Sequence, residues 1–323
     1  MTTTETITVD VQRPVVVCGV GRSGTSLLQS MLNAHPELCF PPETHFFRRY
    51  VADAGVRRRY QRLGTNALQA ALFSDADFAR AGLDAAVLLQ PESGRGLDTA
   101  RVFRRLLQRV AARSGKTRIG DKDPRSLDHL AAWKREFPAA RVVHVIRDPR
   151  DVLLSRTKAA WSAGRPWWAH VMICKEQLRR GRKLGRRLFG EAYLEVRYEQ
   201  LIADPDAVLR RICEHVDLEF DARMLEFGES AKQLVDQREL AWKKETLGPL
   251  LTNNMEKWRT GLSAFQVRMT ERVARECFRE LGYVEDQGRA ALRFPEQVAL
   301  HCAPLLRLFA AAAFDLRRAL GRA

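Results

Sequence analysis

Two stretches of this 323-residue chain place side chains in patterns that can do chemistry on anions. The first is Gly19-Val20-Gly21-Arg22-Ser23-Gly24-Thr25-Ser26. It has both glycines and the final hydroxyl of the phosphate loop G-x-x-x-x-G-K-[ST], but Thr25 stands where that loop has lysine. The lysine reaches the β- and γ-phosphates, and the hydroxyl beside it helps hold Mg²⁺. Without it, the loop still cradles an anion through backbone N–H groups, Arg22 and the hydroxyls of Ser23, Thr25 and Ser26, but is poorly equipped for a triphosphate. The second stretch is Arg141–Ile146 running into Arg147-Asp148-Pro149-Arg150-Asp151-Val152-Leu153-Leu154-Ser155. Asp148 can cap a helix with Pro149 at its first position, so Arg147 lies at a strand end beside a helix start. Ser155 is about two turns further on, so one anion meets both only by lying alongside those first turns. A rival reading makes Val142–Asp148 a Walker B strand with Asp148 on Mg²⁺. The missing lysine and the neighbouring Arg147 count against it.

Both loops need a frame. Pro14–Cys18 is a β-branched run suited to a buried parallel strand, and Ser23–Ala34 is an amphipathic helix with Leu27, Leu28, Met31 and Leu32 inward. Four more strands are expected at Leu38–Phe40, Thr117–Asp121, Arg141–Ile146 and Tyr193–Val196. Helices are expected at Thr99–Ala112, Leu127–Phe137, Asp151–Ser162, Trp168–Leu188 and Gln266–Leu281. Alternation of strands and helices predicts an α/β fold, a central parallel sheet of about five strands with helices on both faces. Ligands then belong at the carboxyl ends of the strands. No internal repeat or low-complexity linker divides the chain. We expect a disordered start over 1–13, one domain over 14–290 and an amphipathic basic helical tail over 291–323. In that tail Leu305, Leu306, Leu308, Phe309, Phe314 and Leu320 face one side, to pack on the domain, form a dimer contact or meet an anionic membrane.

Composition narrows the class. With 46% hydrophobic residues the chain is globular, and no segment is apolar enough to span a bilayer. The polar start has no secretory signal, and six scattered cysteines without C-x-x-C spacing read as reduced thiols, so a cytoplasmic protein is expected. The net charge of +15 favours anionic partners, but no helix-turn-helix, zinc finger or aromatic basic sheet supports nucleic acid. The run Arg179–Arg187 reads as a solvated helix.

The order of these motifs resembles the sulfotransferases that use 3′-phosphoadenosine 5′-phosphosulfate (PAPS). A strand into G-x-x-R-S-G-T-S, then a strand into I-R-D-P-R-D-V-x-x-S, is similar to that family's two anion loops. The resemblance implies a P-loop NTPase-like three-layer fold, with Arg22 to Ser26 on the 5′-phosphosulfate and Arg147 with Ser155 on the 3′-phosphate. His35-Pro36-Glu37, followed by Pro42-Glu43-Thr44, is similar to the protein-tyrosine and bacterial carbohydrate and lipid branches, where the glutamate is the general base. Gly120-Asp121-Lys122-Asp123-Pro124 resembles their K-D-P element, whose lysine assists the leaving group. Arg197-Tyr198-Glu199-Gln200-Leu201 resembles a segment whose tyrosine lies near the adenine. The matches run from about Pro14 to Tyr283. Two departures stand out. Gly21 replaces a common proline, and nothing matches the R-K-G segment of the phenol and steroid enzymes. Met255-Glu256-Lys257-Trp258 is its vague equivalent, with Lys257 a possible contact to the 3′-phosphate.

The resemblance implies sulfuryl transfer to a hydroxyl, with Glu43 as base, Lys122 at the leaving oxygen and Arg22 at the sulfonyl oxygens, and with no metal required. His45 is a second candidate base, and Glu43 has a plain alternative as an acidic first-turn residue before a helix Thr44–Tyr50. Two other classes stay open, a P-loop kinase or NTPase and a non-catalytic anion-binding, membrane-associated protein. The acceptor is unspecified: carbohydrate, lipid, small metabolite or peptide tyrosine. Residues 46–98 and 161–168 are expected to line its pocket, with Phe46, Phe47, Trp161, Trp167 and Trp168 as stacking candidates.

Overall fold

A computed structural model describes residues 9–90, 96–162, 164–236, 247–248, 250–251, 254–286 and 292–302. Its centre is β1, Asp10–Gly19, whose apolar part from Val15 to Cys18 is wholly buried. The strand starts earlier than Pro14, because Asp10 already pairs with Arg118. After a turn comes α1, Thr25–Asn33, and then the short β2, Leu38–Cys39. A π-helical turn, Phe47–Val51, replaces the ordinary helix expected after Glu43. Four helices missing from the sequence reading follow: α2 Ala54–Leu63, α3 Thr65–Phe73, α4 Ala76–Ala79 and α5 Ala85–Leu88. Asp53, Asp75 and Asp84 cap three of them through backbone N–H groups. Next, α6 runs Thr99–Ser114 between an Asp98 cap and the left-handed Gly115.

The remaining strands are β3 Arg118–Lys122, β4 Arg141–Ile146 and β5 Tyr193–Arg197. All pairings are parallel, in the order β2-β3-β1-β4-β5. Helix α7, Leu130–Glu136, precedes β4, and α8 spans Pro149–Thr157. It begins earlier than the Asp151 expected, since Asp148 caps it with Pro149 first, and it ends before Ser162. The long α9, Trp167–Phe189, leads to β5, and α10 Tyr198–Ala203, α11 Pro205–His215 and α12 Gly228–Leu234 follow. The expected helix Gln266–Leu281 is two pieces, Ala264–Val273 and Arg275–Leu281, with Ala274 off helical geometry between them. The first starts at Ala264 because Ser263 and Gln266 form a capping box. A further helix covers 294–302, and the rest of the tail lies outside the described residues.

Period-two alternation in the strands builds the three layers. Val16, Cys18 and Val142 face a core with Phe103, Trp133 and Leu178, from α6, α7 and α9. Val15, Val17 and Val143 face the other, with Leu28, Leu209 and Ala231 from α1, α11 and α12. Five cysteines are buried and Cys302 is exposed. No helix among the described residues is long and apolar enough to cross a membrane. The basic run on α9 is not simply solvated. Arg179 and Arg180 bond Glu176, and Arg182 and Arg186 bond Glu195.

Candidate active site

The carboxyl ends of β1, β3 and β4 converge, and the order of connections reverses at β1, the place where such sheets bind ligands. Gly19 ends β1 so tightly that an added Cβ would lie 2.5 Å from the Val145 carbonyl oxygen. Arg22 then takes φ 81°, a left-handed conformation unusual for a residue that carries a Cβ, and Gly24 takes φ 95°. Those two turns let helix α1 begin at Thr25 with no side-chain cap and no acidic residue in its first turn. Its positive end and first N–H groups are therefore open to an anion. Gly24 is doubly required, because a Cβ there would meet the Tyr198 ring at 2.3 Å.

A cavity of about 310 Å³ lies over this loop, lined by Arg22, Glu43, Arg147, Tyr198 and Asn254 among others. Arg22 Nε donates to Ser155 Oγ at 2.9 Å. Arg147 donates to the Asn254 carbonyl oxygen at 2.8 Å and more distantly, at 3.5 Å, to that of Arg22. Its guanidinium lies 4.3 Å from the Tyr198 ring centroid. Arg147 and Ser155 thus come together through Arg22, and among the described residues no hydrogen bond joins them directly. Two buried polar atoms in these elements, Ser23 Oγ and Arg147 Nε, have no hydrogen-bond partner among the described residues. Orphans of this kind fit a site whose ligand completes the bonding.

Lys122 ends β3 beside the loop. It donates to Ser26 Oγ at 3.2 Å and pairs with Glu43 Oε2. His45, at φ 54°, bonds Asp123 at 2.9 Å, and Arg48 Nε donates to the same carboxylate at 2.8 Å. Burial acts to raise the Asp123 pKa, but the His45 bond and charge, with Arg48, outweigh it and hold it well below the usual range. Asp121 moves the other way, to about 8, through burial and then the Asp123 charge. Glu43, His45 and Asp123 have ligand atoms within 4.8 Å of one another, the spacing of a metal site, but Lys122 and Arg48 already serve the two carboxylates. Asp148, the rival Mg²⁺ ligand, caps α8 and pairs with Arg150 at 2.7 Å.

The sequence reading missed Asn254. Its backbone carbonyl holds Arg147 and its amide donates to Tyr198 Oη at 2.8 Å. The only pointer was the vague segment Met255–Trp258 that follows it directly, and the Lys257 of that segment is exposed. Phe46 and Phe47 are core residues, each 1% exposed, with Phe47 stacked on Trp133 at 3.8 Å. Trp167 packs edge-on to Phe265, and Trp161 is the candidate that lines the cavity.

A family model described as "Sulfotransferase family" matches residues 14–222. The chain belongs to the sulfotransferase family. The chain is 26% identical over 224 residues to protein-tyrosine sulfotransferase A of Caenorhabditis elegans, covering 65% of this chain and 51% of that protein. It is 25% identical over 258 residues to an uncharacterized protein of Aquifex aeolicus, covering 77% of this chain and 30% of that one. The chain therefore spans about half or less of the length of these two relatives. The sulfotransferase domain of the olefin synthase from Synechococcus PCC 7002 superposes with a TM-score of 0.57 at 22% identity, covering 94% of this chain and 96% of that one. That likeness is one of fold, the P-loop-like three-layer α/β architecture of sulfotransferases.

Proposed function

We propose that this chain transfers the sulfuryl group of PAPS to an acceptor hydroxyl by in-line displacement, with Glu43 as general base. The observation that carries the reading is the pair of orphaned buried atoms, Ser23 Oγ and Arg147 Nε, at two loops on one cavity. PAPS would supply an activated sulfuryl group on a phosphate leaving group. Arg22, the N–H groups that open α1 and the hydroxyls of Ser23, Thr25 and Ser26 hold the phosphosulfate end. Arg147 and Ser155 take the 3′-phosphate, with Gly24 keeping the backbone close, and Tyr198, backed by Asn254, lies against the base. Glu43 takes the hydroxyl proton as the acceptor oxygen bonds to sulfur. The sulfur–oxygen bond to the phosphate breaks with its electron pair on that oxygen, where Lys122 neutralises the charge. Each of these tasks is positioning or electrostatic stabilisation.

The Glu43–Lys122 pair supports this division, because it sets the base and the leaving-group cation in direct contact beside Ser26 of the loop, at one place where the reacting atoms would separate them. Thermal-shift measurements test the donor. PAPS, or its product 3′-phosphoadenosine 5′-phosphate (PAP), should protect the protein, and ATP, which lacks the 3′-phosphate, should not. Glu43→Ala should keep that protection and lose transfer by about a hundredfold or more, the usual reach of a general base. Mg²⁺-dependent ATP binding without PAPS binding would instead make the chain a P-loop kinase or NTPase. PAPS binding without turnover on any acceptor would leave a non-catalytic anion-binding protein.

A further inference from the structure

A second cavity, of about 470 Å³, opens beside the first and shares Gly21, Glu43, His45, Pro124 and Trp161 with it. Its own wall carries four guanidinium groups, those of Arg48, Arg125, Arg156 and Arg165. Two are balanced locally. Arg48 bonds Asp123 at 2.8 Å, and Arg125 Nε donates to Asp128 at 3.2 Å. Arg156 and Arg165 have no carboxylate partner among the described residues.

Arg156 is the unusual one, at 5% exposure. Its Nε donates to His170 Nδ1 at 3.2 Å, its Nη1 reaches the Gly21 carbonyl oxygen only at 3.5 Å, and its guanidinium lies 5.1 Å from the Trp161 ring centroid. None of these partners carries negative charge. Burial, then Arg156 and Arg165, push His170 down to about 4, so it is neutral at pH 7. Burial comes first in lowering Arg156 itself to about 10; Cys174 is the next influence and opposes it, and the smaller effects of the Arg165, Arg125 and Arg22 charges lower it further. A buried cation without a counter-charge is costly, and like charges around it add to the cost. An anion seated there would relieve both. The donor's own anions are accounted for elsewhere, since Arg147 lines the first cavity and Arg156, Arg125 and Arg165 line the second alone.

We propose that the second cavity is the acceptor subsite, and that it takes a hydroxyl compound carrying a carboxylate or phosphate, seated on Arg156 and Arg165. The acceptor hydroxyl then points to Glu43 at the shared wall, and Trp161 covers the join. The assignment rests on the sulfotransferase reading of Glu43 given above.

Calorimetry on protein saturated with PAP tests the subsite apart from the donor site. The probes are 4-hydroxybenzoate, 4-hydroxyphenyl phosphate and the neutral methyl 4-hydroxybenzoate. At least one charged probe should bind about tenfold or more tightly than the ester, as expected for charge-assisted bonds, and the advantage should shrink with added salt. Whichever charged probe wins identifies carboxylate or phosphate as the preferred group. Arg156→Gln and Arg165→Gln should each erase most of the advantage, and Arg165, being exposed, is the variant expected to fold normally. PAP affinity should be unchanged in Arg165→Gln. Equal binding of ester and acids, no binding of any probe, or an advantage that survives Arg165→Gln overturns the subsite. Failure of PAP itself to bind overturns the donor reading instead.

Discussion

At the scale of single residues, the site depends on backbone conformations that side-chain chemistry alone does not announce. Arg22 and His45 hold positive φ without being glycine, and such strain is kept only where surrounding contacts impose it. Gly24 is the clearest case, since its φ of 95° and the ring of Tyr198 both exclude a Cβ. Gly24→Ala should therefore cost about 2 kcal/mol or more of stability, read by chemical denaturation, and should weaken PAP binding. His144 makes a pH prediction. It is wholly buried on β4, with Nδ1 2.5 Å from Tyr193 Oη, and burial pushes it from 6.5 down to about 4. Between those values the unfolded chain binds the extra proton, so stability falls as pH drops from 6.5 to 4. His170, also held near 4, adds to the same acid limb. His144→Gln should flatten that limb in denaturation midpoints measured across the window.

At the scale of elements, the two candidate anion loops were legible because each couples a β-branched run to a glycine or Asp-Pro signal at a helix start. The β4 bounds, Arg141–Ile146, follow from the sequence, and Asp148-Pro149 names the start of α8. Helices α2 to α5 were not legible. They are short, α2 buries no residue, and each is fixed by an aspartate or glycine cap more than by an apolar stripe. Asn254 was hidden for another reason: its role depends on a pin supplied from far away in sequence. Asp151, 3% exposed, accepts from the N–H groups of Glu256 at 2.8 Å and Trp258 at 2.9 Å. That clamp sets Asn254 against Arg147 and Tyr198. Asp151→Ala leaves two N–H groups without their acceptor, so a loss of about 2–4 kcal/mol is expected, with weaker PAP binding.

At the scale of the molecule, the formal charge of +15 is partly spoken for. Arg179, Arg180, Arg182 and Arg186 on α9 share two carboxylates, Glu176 and Glu195, while Arg22, Arg147, Arg156 and Arg165 add positive charge around the two cavities. A positive field of this kind raises the on-rate of anions and is screened by salt. The association rate of PAP should fall steadily as ionic strength rises, whereas that of adenosine should not; stopped-flow fluorescence measures both.

The position of Gly19 has an evolutionary corollary. The loop that follows it grows from the central strand, wedged against Val145, whereas Arg125 and Arg165, which line the second cavity alone, stand on short turns and loops outside the sheet. The first group is intolerant of change and the second is cheap to vary. Libraries randomised at the second group alone should yield altered acceptor choice on an intact donor site, and divergence among descendants of this scaffold should concentrate there.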